Sequence, residues 1–165
     1  MRRLVVGVVL ALGTIAAPSA QTAVAYRLSF SEREHRLMDV EIVFGDVPDG
    51  ALELRMSRAS PGRYAIHDFA KNVFDERITD PAGQPLTVIR ASPQQWNVTG
   101  HAGQVRVQYR VFGDRIDGTY LGVDSTHAHI NMPAAIMWAR GFERRPVTVR
   151  FEQPGGTSWR VATQL

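Results

Sequence analysis

Apolar and polar residues alternate with a period of two through most of this chain, and that pattern restricts the fold more than any other feature. Met38, Val40, Ile42 and Phe44 alternate with Asp39, Glu41 and Val43. Val105, Val107, Tyr109 and Val111 alternate with Arg106, Gln108 and Arg110. Tyr26, Leu28 and Phe30 do the same around Arg27 and Ser29, as do Leu52, Leu54 and Met56 around Glu53 and Arg55, and Val147, Val149 and Phe151 around Thr148 and Arg150. Successive side chains of an extended chain point to opposite faces, so each stretch offers one face to a core and one to water. Turn chemistry falls between the stretches at Val47-Pro48-Asp49-Gly50, Asp80-Pro81-Ala82-Gly83, Thr99-Gly100, Ala102-Gly103 and Gln153-Pro154-Gly155-Gly156. Another strand is expected over Leu86–Ala91, and Trp159 and Val161 follow the last turn. The expectation is all-β, an antiparallel β-sandwich with one or two short helical turns. The turns are placed at Ile66–Asn72 and at Pro133–Ala139, the latter with Pro at its start and Gly141 beyond its end.

The first residues follow a different logic. Met1-Arg2-Arg3 is a short positive region, Leu4 to Ala17 is apolar, and small residues follow. This is the layout of a signal peptide, and the apolar run is short for the ~20 residues of a membrane span. Residues 1–25 are therefore read as a leader, cut after Ala20 or after Ala25. Cutting after Ala20 puts Pro18 at the unfavourable −3 position, whereas Ala23-Val24-Ala25 satisfies the A-x-A pattern. The expected location is periplasmic or secreted, with no membrane association once the leader is gone. Residues 26–165 then form one domain, long enough to bury a core without crosslinks.

Composition removes several functional classes. Cysteine is absent, so disulfides, thiolate metal sites and a cysteine nucleophile are excluded. Of the 19 basic residues, Arg2 and Arg3 lie in the leader, which brings the remainder close to balance with the 16 acidic ones. Lys71 is the only lysine, and no basic run with interleaved aromatics exists, so nucleic acid is not an expected partner. The H-E-x-x-H spacing of zinc peptidases is missing: Glu34-His35 stands in the reverse order with no second histidine in register. No G-x-S-x-G elbow, P-loop or dinucleotide fingerprint occurs. His127 and His129 lie two apart on an expected strand and share a face, but a metal site needs a third ligand, and Asp124 is the only nearby carboxylate. Asp114, Asp117 and Asp124 lack EF-hand spacing and read as a solvated loop. The chain carries no catalytic residues of its own on this reading, no metal ligands and no cofactor.

Two segments exceed generic sandwich chemistry. Ser60-Pro61-Gly62-Arg63-Tyr64 runs on through Asp68-Phe69-Ala70-Lys71-Asn72-Val73, a Pro-Gly turn followed by a dense polar and aromatic mixture. Pro61, Gly62, Arg63, Tyr64, Asp68 and Asn72 mark a defined loop. The alternative is a structural corner in which Tyr64 and Phe69 pack and Arg63 pairs with Asp68. The second segment is Thr126–Ala139, where a strand runs into a Met-Pro-Ala-Ala turn. Asn131 there can offer amide donors and a carbonyl acceptor, or simply cap the strand end.

These segments resemble the N-terminal domain of the glycyl aminopeptidase family of zinc peptidases (metallopeptidase family M-sixty-one). Tyr26-Arg27-Leu28-Ser29-Phe30, Leu54-Arg55-Met56, the Ser60–Val73 segment, Trp96-Asn97-Val98, Tyr109-Arg110-Val111-Phe112, His129-Ile130-Asn131-Met132-Pro133-Ala134 and Trp159-Arg160-Val161-Ala162-Thr163 match in the family's order. The resemblance implies a β domain that precedes a thermolysin-like zinc domain and a PDZ domain in the complete protein. Zinc is expected only in that missing catalytic domain. The resemblance also implies that the β domain packs on the zinc domain, in cis in a longer chain or in trans, and touches peptide substrate indirectly. Asn131, Met132, Pro133 and Ala134 are the candidate pocket-facing residues, although Met-Pro departs from the small residues usual there. An apolar docking patch is expected near Trp138 and the end of the chain. The alternative is a free-standing exported β-sandwich binding module.

Overall fold

The computed structural model describes residues 21–164, so residues 1–20 of the expected leader lie outside the described residues. Eleven strands and one short helix follow in order: β1 (Val24–Ser29), β2 (Leu37–Phe44), β3 (Leu52–Met56), β4 (Val73–Thr79), β5 (Thr87–Ser92), β6 (Gln95–Thr99), β7 (Val105–Phe112), β8 (Leu121–Val123), β9 (Ala128–Ile130), α1 (Met132–Ala135), β10 (Met137–Ala139) and β11 (Val147–Phe151). They make a five-stranded sheet in the order β11-β1-β2-β7-β4, a four-stranded sheet in the order β10-β3-β6-β5, and the hairpin β8-β9. The all-β sandwich read from the sequence is present.

The alternation explains the layering. Met38, Val40, Ile42 and Phe44 of β2 are buried, and so are Val105, Val107, Tyr109 and Val111 of the neighbouring β7. Across the core stand Leu52, Leu54 and Met56 of β3, Trp96 and Val98 of β6, and Met137 and Ala139 of β10. Fully buried side chains such as Phe44, Leu28 and Ile42 each contribute about 1.5–3 kcal/mol of transfer free energy. The two sheets are also joined by hydrogen bonds, since the Tyr26 hydroxyl donates to the Met137 carbonyl at 3.1 Å and Tyr109 bonds to both Ala135 and Met137. The outer face of β1, β2 and β7 carries paired charges instead: Arg27 meets Glu41 at 3.4 Å and Glu152 at 3.1 Å, and Arg110 meets Glu32 at 2.9 Å.

The edges depart from the expected pattern. β11 pairs with β1 in parallel, Val24 opposite Val147 through Leu28 opposite Phe151, so the sheet is mixed at that edge. β4 breaks register between Phe74 and Arg77, with Asp75 at φ 55°; bulges of this kind twist an edge away from further pairing. β5 forms as anticipated but starts at Thr87 and lies mostly in solvent, with Val88 and Ile89 exposed. Beyond Phe151 the described chain forms no strand, and Trp159 packs on Phe30 with ring centroids 5.2 Å apart.

Both expected helical turns are shorter than read from the sequence. The first is a 3-10 turn over Phe69–Asn72, because Ile66 to Asp68 form no regular element and His67 N donates to the Arg58 carbonyl at 2.8 Å. The second, α1, stops after one turn. Ile136 takes extended angles (φ −117°, ψ 142°), and Met137–Ala139 then pair with β3 as β10. Among the described residues no helix is long and apolar enough to cross a membrane.

Candidate functional site

At one end of the sandwich, β9, α1 and the C-terminal tail enclose an open groove of about 780 Å³. Ile130 and Met132 supply apolar wall from β9 and α1, and Phe30, just past β1, joins Phe151 of β11 and Trp159 and Val161 of the tail. Polar groups are interspersed with this wall: His129, Asn131, Glu152, Gln153, Arg160, Thr163 and Gln164 also line it. An apolar concavity with scattered polar groups is the usual form of a small-molecule or peptide site.

Local sequence dictates this wall. β9 runs out at Ile130, Pro133 sits in the first turn of α1 where its missing N–H costs nothing, and Ala134 and Ala135 are small enough to bury against the core. Three of the four expected pocket residues, Asn131, Met132 and Pro133, line the groove. Ala134 does not, since it is buried in the core.

Asn131 is neither a plain strand cap nor a free ligand donor. Its side chain makes no capping bond to α1. Both protons of its amide nitrogen are committed instead, one to Ser60 Oγ at 3.0 Å and one to the Thr119 carbonyl. The carbonyl oxygen is the group that remains suited to an incoming donor. Asn131 thus ties α1 to two loops, 57–68 and 113–120.

The Ser60–Val73 segment is a braced loop, and the corner expected within it is not formed. Gly62 takes φ 76° in a turn closed by Arg63 N to the Ser60 carbonyl at 3.1 Å; this left-handed angle is what glycine supplies cheaply. Pro61 lines the groove. Arg63 does not pair with Asp68: its Nε donates to Thr119 Oγ1 at 2.7 Å. Asp68 opens the 3-10 turn, where its carbonyl accepts from Lys71 N at 3.2 Å, and its carboxylate meets Gln94 Nε2 at 3.4 Å. Tyr64 does not pack on Phe69. Phe69 is buried, and its ring stacks on His67 with centroids 4.9 Å apart and planes within 8°. Tyr64 stands wholly in solvent, with a relative exposure of 108%. Asn72 is half-buried at the end of the 3-10 turn.

The histidines do not assemble a metal site. His127 precedes β9 and lies 2.9 Å from Thr126 Oγ1 and 3.3 Å from Asp124. Asp124 is occupied by Thr126 Oγ1, Thr126 N and His127 N; the Thr126 hydroxyl first, then the two N–H groups, hold its carboxyl well below the usual range. His129 points its chemistry at the groove. Among the described residues no three His, Asp or Glu side chains converge as metal ligands. Asp117 accepts from Thr119 N at 2.7 Å, and no cage of Asp114, Asp117 and Asp124 forms among the described residues.

Sequence reasoning missed the other half of the groove. Phe30 and Phe151 read as ordinary strand residues, and Trp159 only as a residue that follows the last turn. Only their long-range packing brings them to Ile130 and Met132. It also missed Thr119, 1% exposed, which accepts from both Arg63 and Asn131 and so centres the loop cluster. The expected docking patch is only partly found, since Val161 is exposed near the chain end but Trp138 is half-buried in β10.

The sequence family described as the Peptidase M61 N-terminal domain matches residues 25–165. A crystal structure described as an aminopeptidase N family protein from Idiomarina loihiensis shares the fold with a TM-score of 0.75 at 21% identity, over 80% of this chain and 22% of that one. This chain therefore spans about a fifth of that protein's length. A search of the curated proteins finds no match.

Proposed function

This chain belongs to the Peptidase M61 N-terminal domain family, and from that membership we propose that it is the non-catalytic β domain of an exported, glycyl-aminopeptidase-like zinc metallopeptidase. It packs on a zinc catalytic domain, in cis or in trans, and its groove forms part of the wall that receives peptide substrate. The supporting observation is the groove itself, because Asn131, Met132 and Pro133 line an apolar concavity that stays open on one side. The residues present do not fit zinc, since no three ligating side chains converge among those described. The metal and the bond-breaking chemistry belong to the partner domain.

What this chain can contribute is recognition. Ile130, Met132 and Trp159 can hold an apolar side chain. The Asn131 carbonyl and Glu152 can accept from an amine or a backbone N–H, although Glu152 already meets Arg27 at 3.1 Å and Arg150 at 3.5 Å. Groups that fix a substrate's position without reacting act mainly on its binding.

The test pairs the chain with the H-E-x-x-H domain encoded with or beside it and measures aminopeptidase kinetics. Met132→Ala and Pro133→Ala are expected to raise KM several-fold and leave kcat within about twofold. Unchanged KM in both variants would remove the groove from the substrate path. Absence of any zinc domain that associates with the chain, together with peptides binding the chain alone, would establish the free-standing module instead.

A further inference from the structure

We propose that the loop tip carrying Tyr64, Ile66 and Ile116 is the surface on which the zinc-binding peptidase domain seats, with Tyr64 as its anchor. The proposal rests on the reading of this chain as a peptidase's β domain. It adds which face makes the contact and which side chain dominates it.

Three apolar side chains in two adjacent loops lie in water. Tyr64 is fully exposed, Ile66 is 73% exposed and Ile116 is 56% exposed. Exposed apolar side chains scattered singly over a surface need no explanation, but a cluster in rigid loops does. These loops are held from beneath. Arg63, next to Tyr64, donates to buried Thr119 at 2.7 Å. Asn131 bonds Ser60 and Thr119 together. His67, next to Ile66, is buried, stacks on Phe69 and shares a 3.1 Å hydrogen bond with the Tyr120 hydroxyl. The Tyr120 ring carries the Arg115 guanidinium at 3.8 Å, beside Ile116. Tyr64 and Ile66 thus lie between two held residues, Arg63 and His67, and Ile116 follows Arg115, whose N–H donates to the Leu121 carbonyl at 3.1 Å.

An exposed tyrosine on braced backbone, flanked by arginine, is a favourable binding element. Pre-ordered backbone lowers the entropy lost on association, and Tyr and Arg dominate the energetics of measured interfaces. The other exposed apolar residues lack this arrangement, including Val161, which sits in the strandless tail at the groove. Val88 and Ile89 lie on the edge strand β5, Phe74 on the bulged edge β4, and Val147 on the edge β11.

The occupant follows from continuity with the groove. Three side chains fall short of the roughly 800 Å² per partner that stable interfaces bury, so the footprint must extend beyond them. The adjoining concavity is the groove, because Pro61 belongs to the same loop as Tyr64 and lines it. Asn131 joins the groove wall to both loops of the tip. A domain that uses the groove as one wall of its own pocket must rest on the surface beside it, and the tip is that surface. A second copy of this chain seated on the tip would leave the groove without that role.

A photo-reactive phenylalanine analogue placed at position 64 in the native full-length chain, expressed in its own host, tests this. Analogues at positions 89 and 147 serve as comparison faces. The expected result is a crosslink from position 64 that maps by mass spectrometry to a domain containing H-E-x-x-H, in the same chain or another, several-fold stronger than from 89 or 147. Tyr64→Ala combined with Ile66→Ser should weaken the association of the two domains at least tenfold and leave the melting temperature of the β domain unchanged. Capture of a zinc domain from 89 or 147 but not from 64 would overturn this surface and leave the peptidase-domain reading intact. Capture of a second copy, or of no zinc domain from any position, would overturn both.

Discussion

The Tyr109 hydroxyl accepts a hydrogen bond from the backbone N–H of Met137 at 2.8 Å and donates one to the carbonyl of Ala135 at 3.1 Å. Tyr109 belongs to the five-stranded sheet, and Met137 begins the outermost strand of the other. The bond therefore crosses the sandwich at the point where α1 gives way to β10, just behind the groove. Burial on both sides makes these main-chain groups dependent on the phenol, since no water is at hand to replace it.

Tyr109→Phe should accordingly cost about 1–3 kcal/mol, because it strands a buried donor and a buried acceptor together. Tyr26→Phe removes a single bond to the Met137 carbonyl and should cost about 1 kcal/mol. The two effects should not add, because both phenols hold Met137. Urea melts of the single and double variants measure this, and equal costs for the two single changes would contradict the assignment.

The same phenols predict an alkaline weakness. Burial pushes Tyr26 up to about 12 and raises Tyr109 further, by desolvation in both cases. In the unfolded chain both ionise near 10. As pH rises from 10 towards 12 the unfolded chain releases protons that the folded chain keeps, so stability falls across that window. Below pH 10 these groups leave stability unchanged. Tyr26 alone should account for roughly 2–3 kcal/mol of the loss, and Tyr26→Phe should flatten the curve by that amount in urea melts recorded against pH.

These cross-sheet phenols also show where sequence reasoning succeeds and where it stops. The alternation identifies β2 and β7 and their inward faces, because a central strand must obey a two-residue period to bury one side. It does not tell which strands are neighbours. The parallel pairing of β1 with β11 follows from tertiary closure, not from any local pattern. The corner reading pairs Arg63 with Asp68, five positions on, yet Arg63 reaches Thr119, 56 residues away. A local salt bridge in solvent gains little, whereas a bond to a buried hydroxyl satisfies a group that water cannot reach. The groove was half legible. Asn131 to Pro133 were singled out by resemblance, but Phe30 and Trp159 meet only after the whole sheet has formed.

Asn131 offers a separate test of the loop cluster. Asn131→Ala leaves the Thr119 carbonyl and the Ser60 hydroxyl without their shared donor, and both residues are buried. The expected cost is about 1–3 kcal/mol. The more specific outcome is faster amide hydrogen exchange in residues 57–68 and 113–120 with little change in β2 or β7, because the bond braces loops and not the core. Asn131→Asp should be at least as harmful, since it turns a carboxylate oxygen towards the Thr119 carbonyl. Uniform acceleration across the sheets would show that Asn131 supports the fold as a whole.

The start of the folded domain bears on where a leader can be removed without harm. Val24 is 2% exposed, pairs with Val147 across the edge of the sheet, and donates its N–H to the Pro146 carbonyl at 2.8 Å. Ala25 pairs with Val43 on the other side. Thr22 lies further out and bonds the Asp46 carboxylate. A chain beginning at Gln21 keeps all of these, whereas a chain beginning at Tyr26 loses the Val24 burial, worth about 1.5–3 kcal/mol, and frees the end of β11. The chain starting at Tyr26 should therefore unfold at lower urea concentration, with raised hydrogen exchange in Val147–Phe151. Under the proposed export, the mature chain should begin ahead of Val24, despite Pro18 three residues before that cut. Intact mass spectrometry of the protein recovered from its host tests this proposal, and a mature chain starting at Tyr26 with undiminished stability would show that β11 holds its place without Val24.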